Sequence, residues 1–288
     1  MQGTVDGFSY GLVTPLVAYL MACLGGALGL RCTTRSLLVA GSWRPGWLAL
    51  GSMAIGSGIW TMHFVAMMGF TVQQAPIHYD KPMTYASLGV AILMVGVGIF
   101  IVGYRGASGT ALFTGGTITG LGIASMHYLG MAGLQLNGKL EYNTVTVAAS
   151  VLIAMVAATA ALWAAGQVRG FLWSVGASLV MGLAVTGMHY TGMAALRVHL
   201  HGTADPATGD SPAALLAPML IGPLALLLLA AVVVLFDPLM VMGRPATARP
   251  EHKPGVPAHP PLPDQTRRLA LRTRRHPTRS GSRTPQNR

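Results

Sequence analysis

The sequence predicts an all-α integral membrane protein of about seven transmembrane helices. The chain has 288 residues, of which 52% are hydrophobic and only 9% are charged. A soluble domain carries about 25% charged residues, so the deficit indicates a lipid environment. Two further observations support this class: seven long apolar stretches, and an internal repeat whose period contains two of them.

Seven stretches are long enough to cross a hydrocarbon core, which needs roughly 20 apolar residues. Small residues are dense inside them, for example Gly25, Gly26 and Gly29. In lipid, such residues let helix backbones approach closely, so a tightly packed bundle is expected. The predicted spans are residues 10–30, 47–70, 83–104, 111–134, 144–166, 171–196 and 213–236.

The first apolar stretch is predicted to be a true span rather than a cleaved signal peptide. A signal peptide begins with a positively charged segment. The sequence before this stretch, MQGTVDGFSY, carries Asp6 and no basic residue.

The connections between spans predict the orientation in a cell membrane. Cytoplasmic loops of membrane proteins are enriched in Lys and Arg, and the odd-numbered connections here are the more basic ones. The N-terminus is therefore expected outside and the C-terminus in the cytoplasm. The odd connections hold Arg31, Arg35, Arg44, Arg105 and Arg169, whereas the even ones hold Asp80, Lys81, Lys139, Glu141, Arg197, Asp205 and Asp210.

The composition changes near residue 240, which predicts a membrane domain over 1–240 and a disordered cytoplasmic tail over 241–288. The tail is rich in Pro and Arg, and it holds 11 of the 19 Lys and Arg residues. Because the net charge of +11 is mostly a property of the tail, it does not predict a nucleic-acid partner. The tail is interpreted either as a solvated segment that reinforces topology or as a segment attracted to anionic membrane lipids.

A motif of Met, His and an aromatic residue, with a second Met four residues after the His, occurs three times without gaps. Matched flanks in all three copies identify an internal repeat rather than a coincidence. The copies are GIWTMHFVAMMGF at 58–70, GIASMHYLGMAGL at 122–134 and AVTGMHYTGMAAL at 184–196.

Each repeat contains two spans, so six helices form three pairs and the seventh is added at the end. Each motif lies in an even-numbered span. Its His is predicted about seven residues before the outer end, or roughly 10 Å below the interface at 1.5 Å per residue. The sequence therefore predicts three imidazoles at one depth, and it leaves open whether the three helices meet.

The motif places soft metal ligands on one helix face, because residues i and i+4 lie on the same side of a helix. Imidazole suits copper and other transition metals, and thioether sulfur favours Cu(I); axial His and Met also suit haem. Ala66, Gly130 and Gly192 leave space beside the imidazoles. The pairs placed in this way are His63 with Met67, His127 with Met131, and His189 with Met193.

Packing is the alternative for a single Met-His pair, but three copies favour a ligand or proton-relay function, since ionisable groups inside a span mark functional sites. The histidines outside the motif, including His78, His199 and His201, are interpreted as solvated loop residues. No carboxylate pair, phosphate loop or nucleophile motif supports hydrolase or kinase chemistry, so the chain is expected not to be an enzyme.

The three copies resemble the MHYT domain of bacterial membrane sensor proteins, over roughly residues 8–240; Met188-His189-Tyr190-Thr191 matches it literally. The resemblance implies sensing of oxygen, carbon monoxide or nitric oxide. It also implies copper bound through Met62, His63, Met67, Met126, His127, Met131, Met188, His189 and Met193. Many members continue into cyclic-di-GMP enzymes or histidine kinases. After Phe236 this chain has only the basic tail, so a stand-alone module with a separate cytoplasmic signalling partner is expected. The alternatives are a haem-binding or electron-transfer protein and a copper or small-solute permease.

Overall fold

The structure is a computed structural model that describes residues 3–39, 43–73, 75–167, 171–200 and 211–237. The predicted tail, 241–288, lies outside these residues, so its disorder stays a prediction. The described ranges contain seven long helices and six short strands. The helices are α1 (Val13–Leu38), α2 (Arg44–Met68), α3 (Lys81–Arg105), α4 (Gly109–Ala132), α5 (Thr144–Gly166), α6 (Phe171–Ala194) and α7 (Pro212–Leu235).

The predicted multi-pass helical fold is confirmed, with differences at the helix ends. α5 has the predicted bounds, 144–166, whereas α1 runs on from 30 to Leu38. The helices that carry the motif end at 68, 132 and 194 rather than at 70, 134 and 196. They end early because a short strand begins two or three residues later, a feature without periodic signal in the sequence.

Six of the seven helices in the described ranges are long and apolar enough to cross a membrane, and α4 is the exception. Its hydropathy is lowered by the many glycine and threonine residues in GTALFTGGTITGLGIASMHYLGMA. Large apolar side chains on the other helices, such as Leu93, Leu152 and Leu228, point outward and are more than 60% exposed. A belt of this kind is what lipid contact requires.

The first six helices form a closed ring. Each packs on its neighbours in sequence, and α6 returns to pack on α1. α7 lies outside this ring against α1 and α2. The motif helices α2, α4 and α6 alternate with α1, α3 and α5 around the ring, and α2 contacts both α4 and α6. Each sequence repeat is therefore one pair of adjacent helices.

Six short strands form three antiparallel two-stranded ladders at one end of the bundle, here called the strand end. Each ladder joins the segment before an odd-numbered helix to the segment after the next helix, so every repeat is a closed β-α-α-β unit. The pairs are β1 (Val5–Asp6) with β2 (Thr71–Val72), β3 (His78–Tyr79) with β4 (Leu134–Gln135), and β5 (Gly138–Tyr142) with β6 (Leu196–Leu200).

At the opposite end, α1 and α7 are joined by an ion pair. Arg35 Nε donates to Asp237 Oδ2 at 2.5 Å, and both side chains are largely buried, at 13% and 5% exposed. The Arg35 guanidinium also lies over the Trp47 ring of α2. Asp237 follows the last turn of α7, so the end of that helix is held against the ring.

Glycine allows α1 and α2 to touch through their backbones. A Cβ built on Gly58 would lie 2.6 Å from the Gly25 Cα atom, closer than real Cβ atoms approach another atom. Because these backbones are in direct contact, neither helix can shift without moving the other helix of the same repeat. Close small-residue contact is a main source of helix association in membranes.

We expect Gly58→Ala to destabilise the bundle by about 1–3 kcal/mol, the usual cost of overpacking. The matched control is Gly89→Ala in α3, where an added Cβ meets nothing within 4 Å. Thermal unfolding of the detergent-solubilised variants measures both. Equal midpoints for the two variants would show that the α1–α2 contact is not as close as the structure has it.

Candidate metal centre

The three motif histidines lie at the same depth, five residues before the last residue of α2, α4 and α6. This is two residues nearer the helix ends than expected, because the helices are shorter there. His63, His127 and His189 are each 1% exposed. Three equivalent helices thus bring three imidazoles to one level in the interior.

The three side chains meet on the axis of the ring. The Nδ1 atoms form a triangle with sides of 3.0 Å (His63 to His189), 3.2 Å (His63 to His127) and 3.3 Å (His127 to His189). The ring planes are turned 75° to 88° from one another. The sequence left the convergence of the motif helices open, and the structure shows that they converge.

Hydrogen bonds among the imidazoles alone cannot satisfy this triangle. A neutral imidazole nitrogen carries either a proton or a lone pair, and each hydrogen bond needs one of each. With three mutually adjacent Nδ1 atoms, at least one pair must be two N–H groups or two lone pairs. A positive ion at the centre removes the conflict, because all three lone pairs can then point at it.

The dimensions of the triangle suit a transition-metal ion. Imidazole nitrogens bound to zinc lie about 2.0–2.1 Å from the ion, so in tetrahedral or trigonal geometry they are about 3.3–3.6 Å apart. The observed sides of 3.0–3.3 Å need only a slight expansion. The cluster contains three histidines and no carboxylate, which favours soft or borderline metals over Mg²⁺ or Ca²⁺.

The small residue three positions after each His makes room for the imidazole of another repeat. A Cβ on Gly130 would lie 2.7 Å from His63 Nε2, and one on Gly192 would lie 2.5 Å from His127 Nε2. Ala66, the third member of the set, borders the same cavity as His189. The sequence predicts space beside each imidazole, and the structure fills the space at Gly130 and Gly192 with the imidazole of the preceding repeat in the ring.

The aromatic residue after each His packs edge-on against that imidazole. The ring centroids are 4.6 Å apart for His63 and Phe64, 4.8 Å for His127 and Tyr128, and 5.0 Å for His189 and Tyr190. Edge-to-face contact is a preferred arrangement of aromatic pairs. The aromatic position of the motif therefore fixes the orientation of the ligand ring before it.

A second aromatic covers each of these, and it comes from the start of the next repeat. Tyr79 covers Phe64 at 6.4 Å, Tyr142 covers Tyr128 at 5.7 Å, and Phe8 stacks on Tyr190 at 5.6 Å between centroids. This layer was not predicted from the sequence. Its signal was an aromatic directly before a helix cap in Tyr79-Asp80 and Tyr142-Asn143, where Asp80 and Asn143 accept from backbone N–H groups of α3 and α5.

Burial raises the pKa of Tyr79 and raises that of Tyr142 to about 12. Both phenols therefore stay neutral at physiological pH. They cover the site as aromatic rings and bring no negative charge near it.

Two polar contacts tie the motif helices to their neighbours. Trp60 Nε1, one turn before His63, donates to Ser87 Oγ of α3 at 2.9 Å. The Tyr128 hydroxyl and Ser150 Oγ of α5 are 2.6 Å apart. These hydrogen bonds from α3 and α5 therefore fix the rotation of α2 and α4 about their own axes as well as their positions.

The methionines of the motif are part of the core around the imidazoles. Met62, Met126, Met131 and Met188 are at most 1% exposed. Met67 and Met193 border the same cavity as His189. Their assignment as metal ligands stays a prediction.

A narrow apolar cavity lies on the other side of the triangle, away from the strand end. It is lined from all six ring helices, and the residue one turn before each His, at i−4, faces it. Those residues are Ile59, Ile123 and Val185. These residues were not predicted as part of the site, although the aligned motifs show a β-branched apolar residue at this position in every copy.

The other histidines do not join the cluster among the described residues. His78 lies in β3 and is exposed, and His199 in β6 is 3.6 Å from the Glu141 carboxylate. His201 and the tail histidines fall outside the described residues. His78 is exposed as expected, but both His78 and His199 lie in strands rather than in loops.

Comparison with known proteins supports the repeat. Residues 56–115 and 120–178 match the MHYT family model, described as a bacterial signalling protein N terminal repeat. The third motif copy lies beyond the matched ranges, and the structure nevertheless places His189 with the other two histidines. No solved structure matches the chain.

Three relatives are signalling proteins. The bifunctional diguanylate cyclase/cyclic di-GMP phosphodiesterase MucR of Pseudomonas aeruginosa is 38% identical over 67% of this chain and 29% of its own length. The cyclic di-GMP phosphodiesterase NbdA of the same organism is 36% identical over 68% and 26%. An uncharacterized signaling protein of Caulobacter vibrioides is 34% identical over 61% and 22%. The chain thus spans less than a third of the length of these relatives.

We expect Gly192→Ala to displace the His127 ring and to weaken metal retention about tenfold or more, as changes beside metal ligands typically do. Gly187→Ala is the control, since it lies on the same helix and an added Cβ there meets nothing within 4 Å. Elemental analysis after dialysis against a chelator measures retention. Equal metal content in the two variants would contradict the role assigned to Gly192.

Proposed function

The chain belongs to the MHYT family of bacterial signalling proteins, and on that premise we propose that it is a sensory module binding copper at His63, His127 and His189. The chain is a multi-pass membrane protein with a place in signalling. The proposal itself has three parts, namely copper at this site, a gas ligand and a separate output partner. The observation that carries it is the triangle of three Nδ1 atoms within 3.3 Å of one another.

Copper fits the donor set best. Three imidazoles with surrounding thioethers match the ligands that Cu(I) prefers, and the cluster holds no carboxylate. When bound, copper supplies a Lewis-acidic, redox-active centre. The chain supplies three neutral imidazoles with Nδ1 inward, aromatic rings that fix them, and an apolar shell that excludes water.

Gas sensing is supported by the apolar cavity one turn from the triangle. Ile59, Ile123 and Val185 separate the imidazoles from it. Small apolar molecules partition into apolar cavities that stay free of water. A diatomic such as oxygen, carbon monoxide or nitric oxide would therefore find space beside the proposed centre.

The proposed orientation places the strand end outside the cell. Arg35, Arg44 and Arg105 all lie at the opposite end of the bundle, which the positive-inside rule assigns to the cytoplasm. A partner that receives the signal would then bind on that side. The names of the relatives suggest cyclic di-GMP turnover as its chemistry.

A haem site is not favoured by this geometry. A haem iron takes axial ligands from opposite faces of a flat macrocycle, whereas the three Nδ1 atoms face one shared point at 3.0–3.3 Å. A macrocycle would fit between the three nitrogen atoms only if the helices moved apart. A visible spectrum without a Soret band is therefore expected.

We expect purified protein to retain copper and the variant with Ala at positions 63, 127 and 189 to lose it. The reason is that these side chains provide every nitrogen of the triangle. Elemental analysis together with an optical spectrum measures the loss. The matched control is the double variant His78→Ala and His199→Ala, which removes histidines that lie outside the cluster and is expected to keep the metal.

Three outcomes separate the alternatives. Wild-type protein without copper, or a triple variant with unchanged metal, would overturn the copper assignment. A Soret band would favour haem. Copper uptake into vesicles that depends on the three histidines would favour a permease over a sensor.

A further inference from the structure

We propose that a cavity between α6 and α2 at the strand end is the capture site and entry route by which Cu(I) reaches the triangle, with Phe8 as its lid. The proposal rests on the copper assignment above. The cavity, here called the vestibule, is lined by Val5, Gly7, Phe8, Ala66, Met67, Phe70, His189, Tyr190, Met193 and Ala194.

The vestibule has the chemistry of a soft-metal path. Met67 and Met193 come from the first and third motif copies, and His189 is a member of the triangle. Two thioethers therefore line the approach to one ligand of the centre. Thioether sulfur binds Cu(I) in preference to hard ions, so the vestibule selects the ion before it reaches the imidazoles.

His189 is the triangle member that borders this space, while the other two are sealed. The Nε2 atoms of His63 and His127 are fully buried without a hydrogen-bond partner. Gly130 and Gly192 pack directly against them. Entry past His63 would require α4 to move away from that ring, and entry past His127 would require α6 to move away.

The aromatic residues that cover Phe64, Tyr128 and Tyr190 also differ, because only two of them lie within strands. Tyr79 and Tyr142 lie within the ladders, paired with Leu134 and Leu196. Each is followed at once by a capped helix. In the first repeat, a segment of six residues, Gly7 to Leu12, separates β1 from α1, and it carries Phe8.

Three features of this segment suit a lid that opens. Phe8 is 50% exposed, whereas the ring it covers, Tyr190, is packed against the core. Gly7 and Gly11 stand on either side, and Gly11 has a φ of 61°, a conformation that favours glycine. The Leu12 position before α1 makes no side-chain cap. Ser9 joins the segment to the end of α2 by donating twice to the Gly69 carbonyl. The hydrogen bonds of Phe8 are local, from its N–H to Asp6 Oδ1 and from the Gly11 N–H to its carbonyl.

Removing the lid should change the rates of Cu(I) loading and removal without changing the amount of copper bound at saturation. In Phe8→Ala, both loading of Cu(I) from a weak water-soluble chelator and removal by a strong one should become about three- to tenfold faster, the range that loss of one aromatic pair supports. Copper per chain at saturating Cu(I) should stay at the wild-type value, because His63, His127 and His189 are all present in this variant. Tyr10→Ala, an exposed aromatic two residues further on the same segment, is the control and should load at the wild-type rate.

Blocking the vestibule gives the opposite test. Ala194 is the last residue of α6 and is exposed. The variant Ala194→Cys, modified with a bulky thiol reagent, should load at least tenfold more slowly. Ala132→Cys, at the equivalent last position of α4 and also exposed, is the matched control and should load normally. The native Cys23 and Cys32 are buried and stay unmodified.

The outcomes separate this proposal from the one it rests on. Copper binding with rates that are indifferent to Phe8 and to the label at position 194 would overturn the vestibule and leave the copper site standing. Equal blocking at positions 132 and 194 would also overturn it. Protein that binds no Cu(I) would overturn both.

Discussion

Three identical nitrogen atoms held against one another in an apolar interior are the constraint on which the rest of this fold depends. They cannot satisfy each other with their own protons, and inside a membrane no water is at hand to do so. Unmet polar groups in hydrocarbon cost several kcal/mol each. A bundle that keeps this arrangement must fix the rings firmly and must offer them a positive partner.

The surrounding residues meet the first requirement by the same device used three times. An aromatic fixes each imidazole from its own helix, a small residue receives it on the next motif helix, and an aromatic from the next repeat covers the pair. Gly130 and Gly192 show how tight this is, since even a methyl group does not fit there. Because each element serves a neighbouring repeat, the site exists only when the ring is closed.

Much of this could be predicted from the sequence, and the remainder has a physical reason. Hydropathy indicated the helices, and the repeat indicated equal depth for His63, His127 and His189. Convergence was open because spacing along a chain does not say which helices are neighbours around a ring. The strands were missed because four of the six span only two residues, too few for any alternation to appear. The aromatic cover by Tyr79 and Tyr142 depends on pairing that only the folded ladders reveal.

The ion pair between Arg35 and Asp237 has a mechanical consequence. It lies at the far end of α1 from the imidazoles, and it joins that helix to Asp237, two residues after the end of α7. Asp237, the last residue that the structure describes, is therefore anchored to the bundle. Since α1 packs along α2 and α6, which carry two of the three histidines, the same helix links this anchor to the motif helices.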